Sequence, residues 1–149
     1  FRPVPRRPQT RTALLMPLYN EDAAAAFGRL SGIERSLARL DAASAFDIFV
    51  LSDSTREEAA AAEWAAFQTF RVTSHCRAFY RRRDKNTERK AGNISDWVQN
   101  HGAAYENMVI LDADSTMAGE TLMQLVDAME RKPDIGQYGK MNHFVFVQL

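Results

Sequence analysis

The run "VILDADST" (109–116) carries an apolar stretch straight into two carboxylates, Asp112 and Asp114. Acids two residues apart on an extended backbone point to one side, so both can reach a single hard cation. A divalent ion with oxygen ligands would remove their mutual repulsion, and Mg²⁺ commonly takes only one or two protein carboxylates, leaving positions open for substrate phosphates. The competing reading is a solvated turn. An EF-hand loop is excluded, because Met117 stands where that loop needs glycine and Met123 where it needs the closing glutamate.

Other polar clusters offer complementary chemistry. Asp53, in "LSDST", reads either as an Asx turn or helix cap, or as an acceptor for the edge of a nucleobase. Glu21, in "PLYNED", sits where it can favour a helix N-terminus through the dipole or accept from a ribose hydroxyl. The 81–90 run holds Arg81, Arg82, Arg83, Lys85, Arg89 and Lys90 against only Asp84 and Glu88. Such runs are usually solvated, and without aromatics after Tyr80 this one lacks the stacking groups of a single-strand binder. Lys90, just before Gly92 and Asn93 at the start of a helix, makes an anion site; opposite Asp112 and Asp114 the natural anion is a diphosphate. His75, His101 and His143 have no metal-ligand spacing, and neither a G-x-G-x-x-G nor a P-loop signature is present.

The elements that must position these groups alternate along the chain. "TALLMPL", "FDIFVLSD", "CRAFYRR" and "NMVILDAD" read as strands. Between them, Ala23, Phe27, Leu30, Ile33, Leu37 and Leu40 recur at helical spacing. Ser54 with Glu57, and Thr55 with Glu58, have capping-box spacing ahead of an alanine-rich helix reaching Trp64, Phe67 and Phe70. Ile94, Trp97, Val98 and His101 mark a third helix, and Leu122, Leu125, Val126 and Met129 a fourth. Successive β-α repeats predict an α/β fold, a mostly parallel sheet with helices on both faces, whose ligand lies beyond the carboxyl ends of the strands. All four polar clusters follow a strand, so they should meet on that edge.

Bulk properties narrow the class. The 149 residues are 46% apolar and 26% charged with a formal net charge of zero, a composition for one globular domain and against binding nucleic acid by overall charge. Cys76 is the single cysteine, which leaves no internal disulfide. No apolar run approaches the ~18 residues of a membrane span. Residues 1–11, with three prolines and four arginines, read as an extended basic lead-in, and a start at Phe1 suggests a piece of something longer.

Two resemblances bear on the acids. An apolar strand ending in D-x-D-x-T is similar to the nucleophile motif of haloacid-dehalogenase-type phosphatases, with Asp112 attacking phosphorus, Asp114 as acid/base and Thr116 completing the loop. That motif normally lies on a first strand with further acids downstream, which this chain does not supply. A non-catalytic docking module is a further alternative. The ordered set "PLYNED", "LSDST", "RRRDKNTERKAGN" and "VILDADS", over about residues 11–136, more closely resembles the nucleotide-binding half of a family 2 glycosyltransferase of the GT-A, Rossmann-like fold.

That resemblance implies a UDP-glucose donor and a growing β-1,2-glucan acceptor, with inversion at the anomeric carbon. It implies that Tyr19 and Glu21 contact the uridine, that Asp53 reads the uracil, and that Lys90 lies near uracil and phosphate. Asp112 and Asp114 would grip the diphosphate through Mg²⁺ or Mn²⁺. It also implies a membrane-embedded enzyme at the cytoplasmic face of a bacterial inner membrane, with the 1–11 lead-in juxtamembrane. The T-E-D segment that carries the general base, the Q-x-x-R-W motif and the membrane helices are not in this chain. The expectation is donor binding without turnover, and no catalytic base among these residues. Residues 137–149 are unassigned, either a closing strand or a segment joined across a gap.

Overall fold

Two strands are buried along their whole length, β1 (Thr12–Leu18) and β2 (Phe46–Ser52). Each is flanked by parallel neighbours and covered on both faces, which is why both read as near-continuous apolar runs. The computed structural model describes residues 6–114, 117–131 and the backbone of 143–146. Beside β1 and β2 lie β3 (Arg77–Arg82), β4 (Asn107–Ile110) and β5 (His143–Phe146), in the order β3-β2-β1-β4-β5. Every pairing is parallel. The four helices are α1 (Ala23–Arg39), α2 (Glu57–Thr73), α3 (Arg89–His101) and α4 (Gly119–Arg131).

The pleat divides the core in two. Leu14, Met16, Ile48, Val50 and Val109 face Phe27, Leu30, Phe67, Phe70, Leu122 and Val126 of α1, α2 and α4. Ala13, Leu15, Phe49, Leu51 and Met108 face the other way, onto Ile94, Trp97 and Val98 of α3. The expected α/β architecture, with helices on both faces of a parallel sheet, is what the chain forms.

Strand order reverses at β1, which lies between β2 and β4, and such a switch point opens a crevice at the carboxyl edge. The backbone shows the crevice opening. Pairing of β1 with β4 ends at Leu15 and Ile110, with one further bond from Leu111 N to Leu15 O of 2.7 Å. Pro17, two residues on, presents the same edge of β1 beyond the end of β4. A proline there removes a donor that would have had no strand to bond.

Several local expectations differ from the structure. Asp22, not Glu21, caps α1, its carboxylate accepting from Ala25 N at 3.2 Å. The capping box at α2 does not form: the helix starts after Arg56 with no side-chain cap of its own, and Asn20 Oδ1 accepts from Thr55 N and Arg56 N instead, each at 3.0 Å. Trp64 is 47% exposed, whereas Glu63 is fully buried in the stripe of Ala60, Phe67 and Phe70. The fourth strand stops at Ile110, so Asp112 lies beyond it without regular structure and Asp114 lies in a turn. The lead-in also packs down: Glu130 of α4 accepts from Gln9 N, Thr10 N and Thr10 Oγ1 at 2.6–2.8 Å. Residues 143–146 of the unassigned tail pair with β4. Residues 1–5, 115–116, 132–142 and 147–149 lie outside the described residues, Thr116 among them.

Candidate functional site

A cavity of about 740 Å³ opens at the carboxyl edge, and Tyr19, Glu21, Asp53, Lys90, Asp112 and Asp114 all line it. Each arrives from a strand end or helix start: Tyr19 and Glu21 from the β1–α1 turn, Asp53 from the residue after β2, Lys90 from the first turn of α3, and the two aspartates from the turn after β4. Sequence spacing alone had gathered these six on one edge. The chain brings them around one space.

Their local chemistry is more specific than that reading. Asp53 is neither an Asx turn nor a helix cap; it is almost fully buried and held by a two-pronged contact from Arg83, Nε to Oδ1 and Nη2 to Oδ2, both 2.7 Å. Arg83 also donates to the carbonyls of Thr87 and Arg89 at 3.1 and 3.2 Å, tying the acid to the loop before α3. A bidentate guanidinium takes one acceptor site on each carboxylate oxygen and leaves the others for the cavity.

The basic run is correspondingly structural rather than merely solvated. Arg81 donates to Asn93 Oδ1 at 2.7 Å and to Asn93 O at 3.1 Å, and Arg82 Nε donates to Ser54 O at 3.0 Å. Asn93 Nδ2 in turn donates to Leu51 O at 2.9 Å, fastening α3 to the end of β2. The start of α3 is strained to reach this position: Glu88 and Arg89, neither a glycine, hold φ of 59° and 53°.

Lys90 donates to Asp112 Oδ1. The lysine expected beside an anion therefore lies, in this state, against the first of the paired acids. Asp114 is exposed at the rim, and its charge reaches Glu21. Burial raises the Glu21 carboxyl above its ordinary value, a shift opposed by a hydrogen bond to the Tyr19 backbone and by Lys90, and reinforced by Asp114 and Glu63.

Among the described residues no group of three or more His, Cys, Asp or Glu side chains is arranged to hold a metal. Asp112 and Asp114 nevertheless both line the cavity, and their carboxylates are the hard oxygen donors that Mg²⁺ takes. Asp112 accepts a cationic group from the cavity side already, which is the test of fit that the chain itself offers.

Sequence reasoning brought the 81–93 loop to this edge without singling out Asn86, Arg89 and Asn93, and it missed Arg29 in the lining. Arg29 Nη1 donates to Ala113 O at 2.9 Å, bracing the turn that carries the two aspartates. Its signal was available: Asp22, Ala25 and Arg29 repeat at three and four residues, a second helical stripe beside the apolar one of α1. His75 and His101 stay out of the site. His75 pairs through N and Nδ1 with the buried Glu34, at 2.9 and 3.0 Å, and His101 packs against Trp97.

A parallel switch-point sheet with acids and a lysine at its carboxyl edge defines an α/β domain of the Rossmann-like kind, and comparison with known proteins narrows the class. The model of the glycosyl transferase family 2 matches residues 13–145, and the chain belongs to that family. The match runs past residue 136, the end of the sequence resemblance, and into β5. Among similar proteins are those named glucans biosynthesis glucosyltransferase H. The one from Caulobacter vibrioides (strain NA1000 / CB15N) is 53% identical over 134 residues, 90% of this chain and 20% of its own length. The one from Xanthomonas euvesicatoria pv. vesicatoria is 49% identical over 130 residues, 86% of this chain and 20% of its own. The one from Xylella fastidiosa (strain 9a5c) is 51% identical over 129 residues, 85% of this chain and 20% of its own. The chain thus spans about a fifth of the length of the relatives it matches. Among the described residues no helix is long and apolar enough to cross a membrane.

Proposed function

We propose that this chain is the donor-binding part of an inverting glucosyltransferase that uses UDP-glucose to extend a β-1,2-linked glucan backbone of osmoregulated periplasmic glucans. The observation that carries the reading is the convergence of Tyr19, Glu21, Asp53, Lys90, Asp112 and Asp114 around one cavity at the switch point. In a family 2 glycosyltransferase this is where a sugar nucleotide belongs. Work in a membrane-embedded protein, at the cytoplasmic face of a bacterial inner membrane, is part of the same proposal.

Each residue has a task that its surroundings suit. Asp53, steadied by Arg83, presents its remaining acceptor sites to the uracil edge. Tyr19, half exposed at the mouth, gives the base or ribose a flat apolar face. Glu21 accepts from a ribose hydroxyl. Lys90 and the first turn of α3 face the diphosphate, where an ammonium and the positive end of the helix dipole both favour negative charge. Asp112 and Asp114 would hold Mg²⁺ or Mn²⁺, which when bound supplies Lewis-acid neutralisation of the leaving nucleotide. The general base belongs to the remainder of such a protein.

Calorimetry of the complete protein with UDP tests the reading. UDP should bind in the presence of Mn²⁺ and much more weakly without it. Asp112→Asn and Asp53→Ala should each cost on the order of tenfold or more in affinity, the loss of one charge-assisted contact. A folded protein indifferent to UDP with or without Mn²⁺ would sink the proposal. The phosphatase alternative predicts instead hydrolysis of a simple phosphomonoester, abolished in Asp112→Asn.

A further inference from the structure

We infer that Glu63, a buried carboxylate on α2 that does not touch the cavity, is the positioning residue that locks the two nucleoside-facing turns, 19–22 and 53–56, to one another. This rests on the donor-site reading above, and it begins from a residue that burial alone makes anomalous. Glu63 is fully buried, in the apolar stripe of its helix, where a carboxylate is costly unless its oxygens are satisfied. They are satisfied by three hydroxyls: Ser52 Oγ at 2.5 Å and Tyr80 OH at 2.9 Å on Oε1, and Ser54 Oγ on Oε2.

The direction of these bonds gives the network its consequence. An ionised carboxylate can only accept, so each hydroxyl must spend its single proton on Glu63. What each hydroxyl has left is lone pairs. Ser52 Oγ uses them to accept from Ser54 N at 3.1 Å, which folds the chain around Asp53. Ser54 Oγ uses them to accept from Asn20 N at 2.9 Å, which reaches across to the β1–α1 turn.

Asn20 lies between Tyr19 and Glu21 and holds a left-handed φ of 52°, a conformation that needs outside support. Its side chain returns the link, Oδ1 accepting from Thr55 N and Arg56 N and Nδ2 donating to Thr55 Oγ1 at 2.9 Å. Glu63 therefore sets the polarity of a relay, Glu63 to Ser54 to Asn20, whose two ends carry Asp53 on one side and Tyr19 with Glu21 on the other. Replacing the carboxylate by an amide of the same shape gives one oxygen's place to a donor. In the place of Oε2 that donor frees Ser54 Oγ from presenting lone pairs to Asn20, and in the place of Oε1 it frees Ser52 Oγ from presenting them to Ser54 N, so either way one link of the relay loses its polarity.

The test uses the complete protein and two readouts, UDP affinity by calorimetry and amide hydrogen exchange. Glu63→Gln should weaken UDP on the order of tenfold, the worth of one misdirected buried hydrogen-bond relay. It should also raise exchange in 19–22 and 53–56 while β1 and β2 stay protected. Ser54→Ala, which cuts the relay one step nearer the cavity, should do the same, and the double variant should be no worse than either single one. Asp47→Asn is the control: it removes another buried carboxylate at the opposite edge of the sheet, and should lower the melting temperature without changing UDP affinity. Glu63→Gln behaving like that control, with UDP affinity kept within about twofold and exchange unchanged in both turns, overturns the inference. Wild-type protein that ignores UDP would overturn the donor-site reading instead, while the exchange result would still decide the role of Glu63.

Discussion

At the scale of single residues, the ion pair between Lys90 and Asp112 would couple the two ligands of the proposed donor site. A divalent ion seeking Asp112 must compete with an ammonium already there, and a diphosphate seeking Lys90 must draw it from a carboxylate. Each ligand therefore removes the obstacle to the other, which is positive coupling between them, reciprocal by linkage. Replacing Lys90 by alanine separates the two effects. Lys90→Ala should let Mn²⁺ alone bind several-fold more tightly, since a competing positive charge is gone. It should weaken UDP in the presence of Mn²⁺ on the order of tenfold, the loss of a charge-assisted contact. Electron paramagnetic resonance of unbound Mn²⁺ reads the first and calorimetry the second. If both affinities fall together, Lys90 is acting only on the shape of the turn and the exchange of partners is wrong.

At the scale of elements, the placement of α3 depends on a glycine for reasons of space. A Cβ on Gly92 would stand 2.0 Å from Thr87 O and 2.9 Å from the Glu88 Cβ. Backbone cannot yield that far, so Gly92→Ala should shift the first turn of α3 and cost about 1–3 kcal/mol, the usual penalty for overpacking. Hydrogen exchange would show it as faster exchange at 89–93, and UDP affinity should fall with it because Lys90 rides on that turn. Exchange unchanged at 89–93 would mean the loop before the helix absorbs the methyl.

How far the elements could be read from sequence follows the same logic of local versus long-range causes. Helical spacing exposed α1, α3 and α4 because their buried stripes are apolar throughout or nearly so, and β1 and β2 because strands buried on both faces have no polar interruption. Reading α2 by its apolar residues grouped the exposed Trp64 with Phe67 and Phe70 and passed over Glu63, since what satisfies that carboxylate comes from Ser52, Ser54 and Tyr80 on other elements. The capping box failed for the same reason: Ser54 is drawn into the core and Asn20, some 35 residues earlier, supplies the acceptor. The six cavity residues were legible because each follows a strand. Arg83 on Asp53 and Lys90 on Asp112 were not, because no spacing rule states which base of a dense run meets which acid.

At the scale of the molecule, the sheet divides its labour between its two edges, and acid should separate them. Asp47, on β2 at the edge away from the cavity, is almost fully buried and accepts from Arg77 of β3 at 2.6 and 3.0 Å, from Arg11 ahead of β1 at 2.7 Å, and from Tyr105 OH ahead of β4 at 2.5 Å. One carboxylate thus ties together the entries to four neighbouring strands. Burial alone would raise this carboxyl, but the bonds from Arg77, Tyr105 and Arg11 outweigh it and hold it below its ordinary 3.8. The unfolded chain therefore takes up the proton first. Stability supplied by Asp47 is complete well above 3.8 and drains away as the pH falls through that value and the lower folded one. Glu21 works with the opposite sign, since burial raises its carboxyl and protonation on the way down relieves a cost. Breaking the Asp47 cluster by Asp47→Asn should cost about 1–3 kcal/mol near neutral pH, the loss of charge-assisted hydrogen bonds from arginines that stay open to water. The melting temperature of the variant should then fall less than that of the wild type between neutral pH and pH values below 3.8, so that the two curves approach one another in acid. Parallel curves would show that some other carboxylate governs acid unfolding. UDP affinity at neutral pH should be the same in both proteins, because none of the four residues in this cluster reaches the cavity.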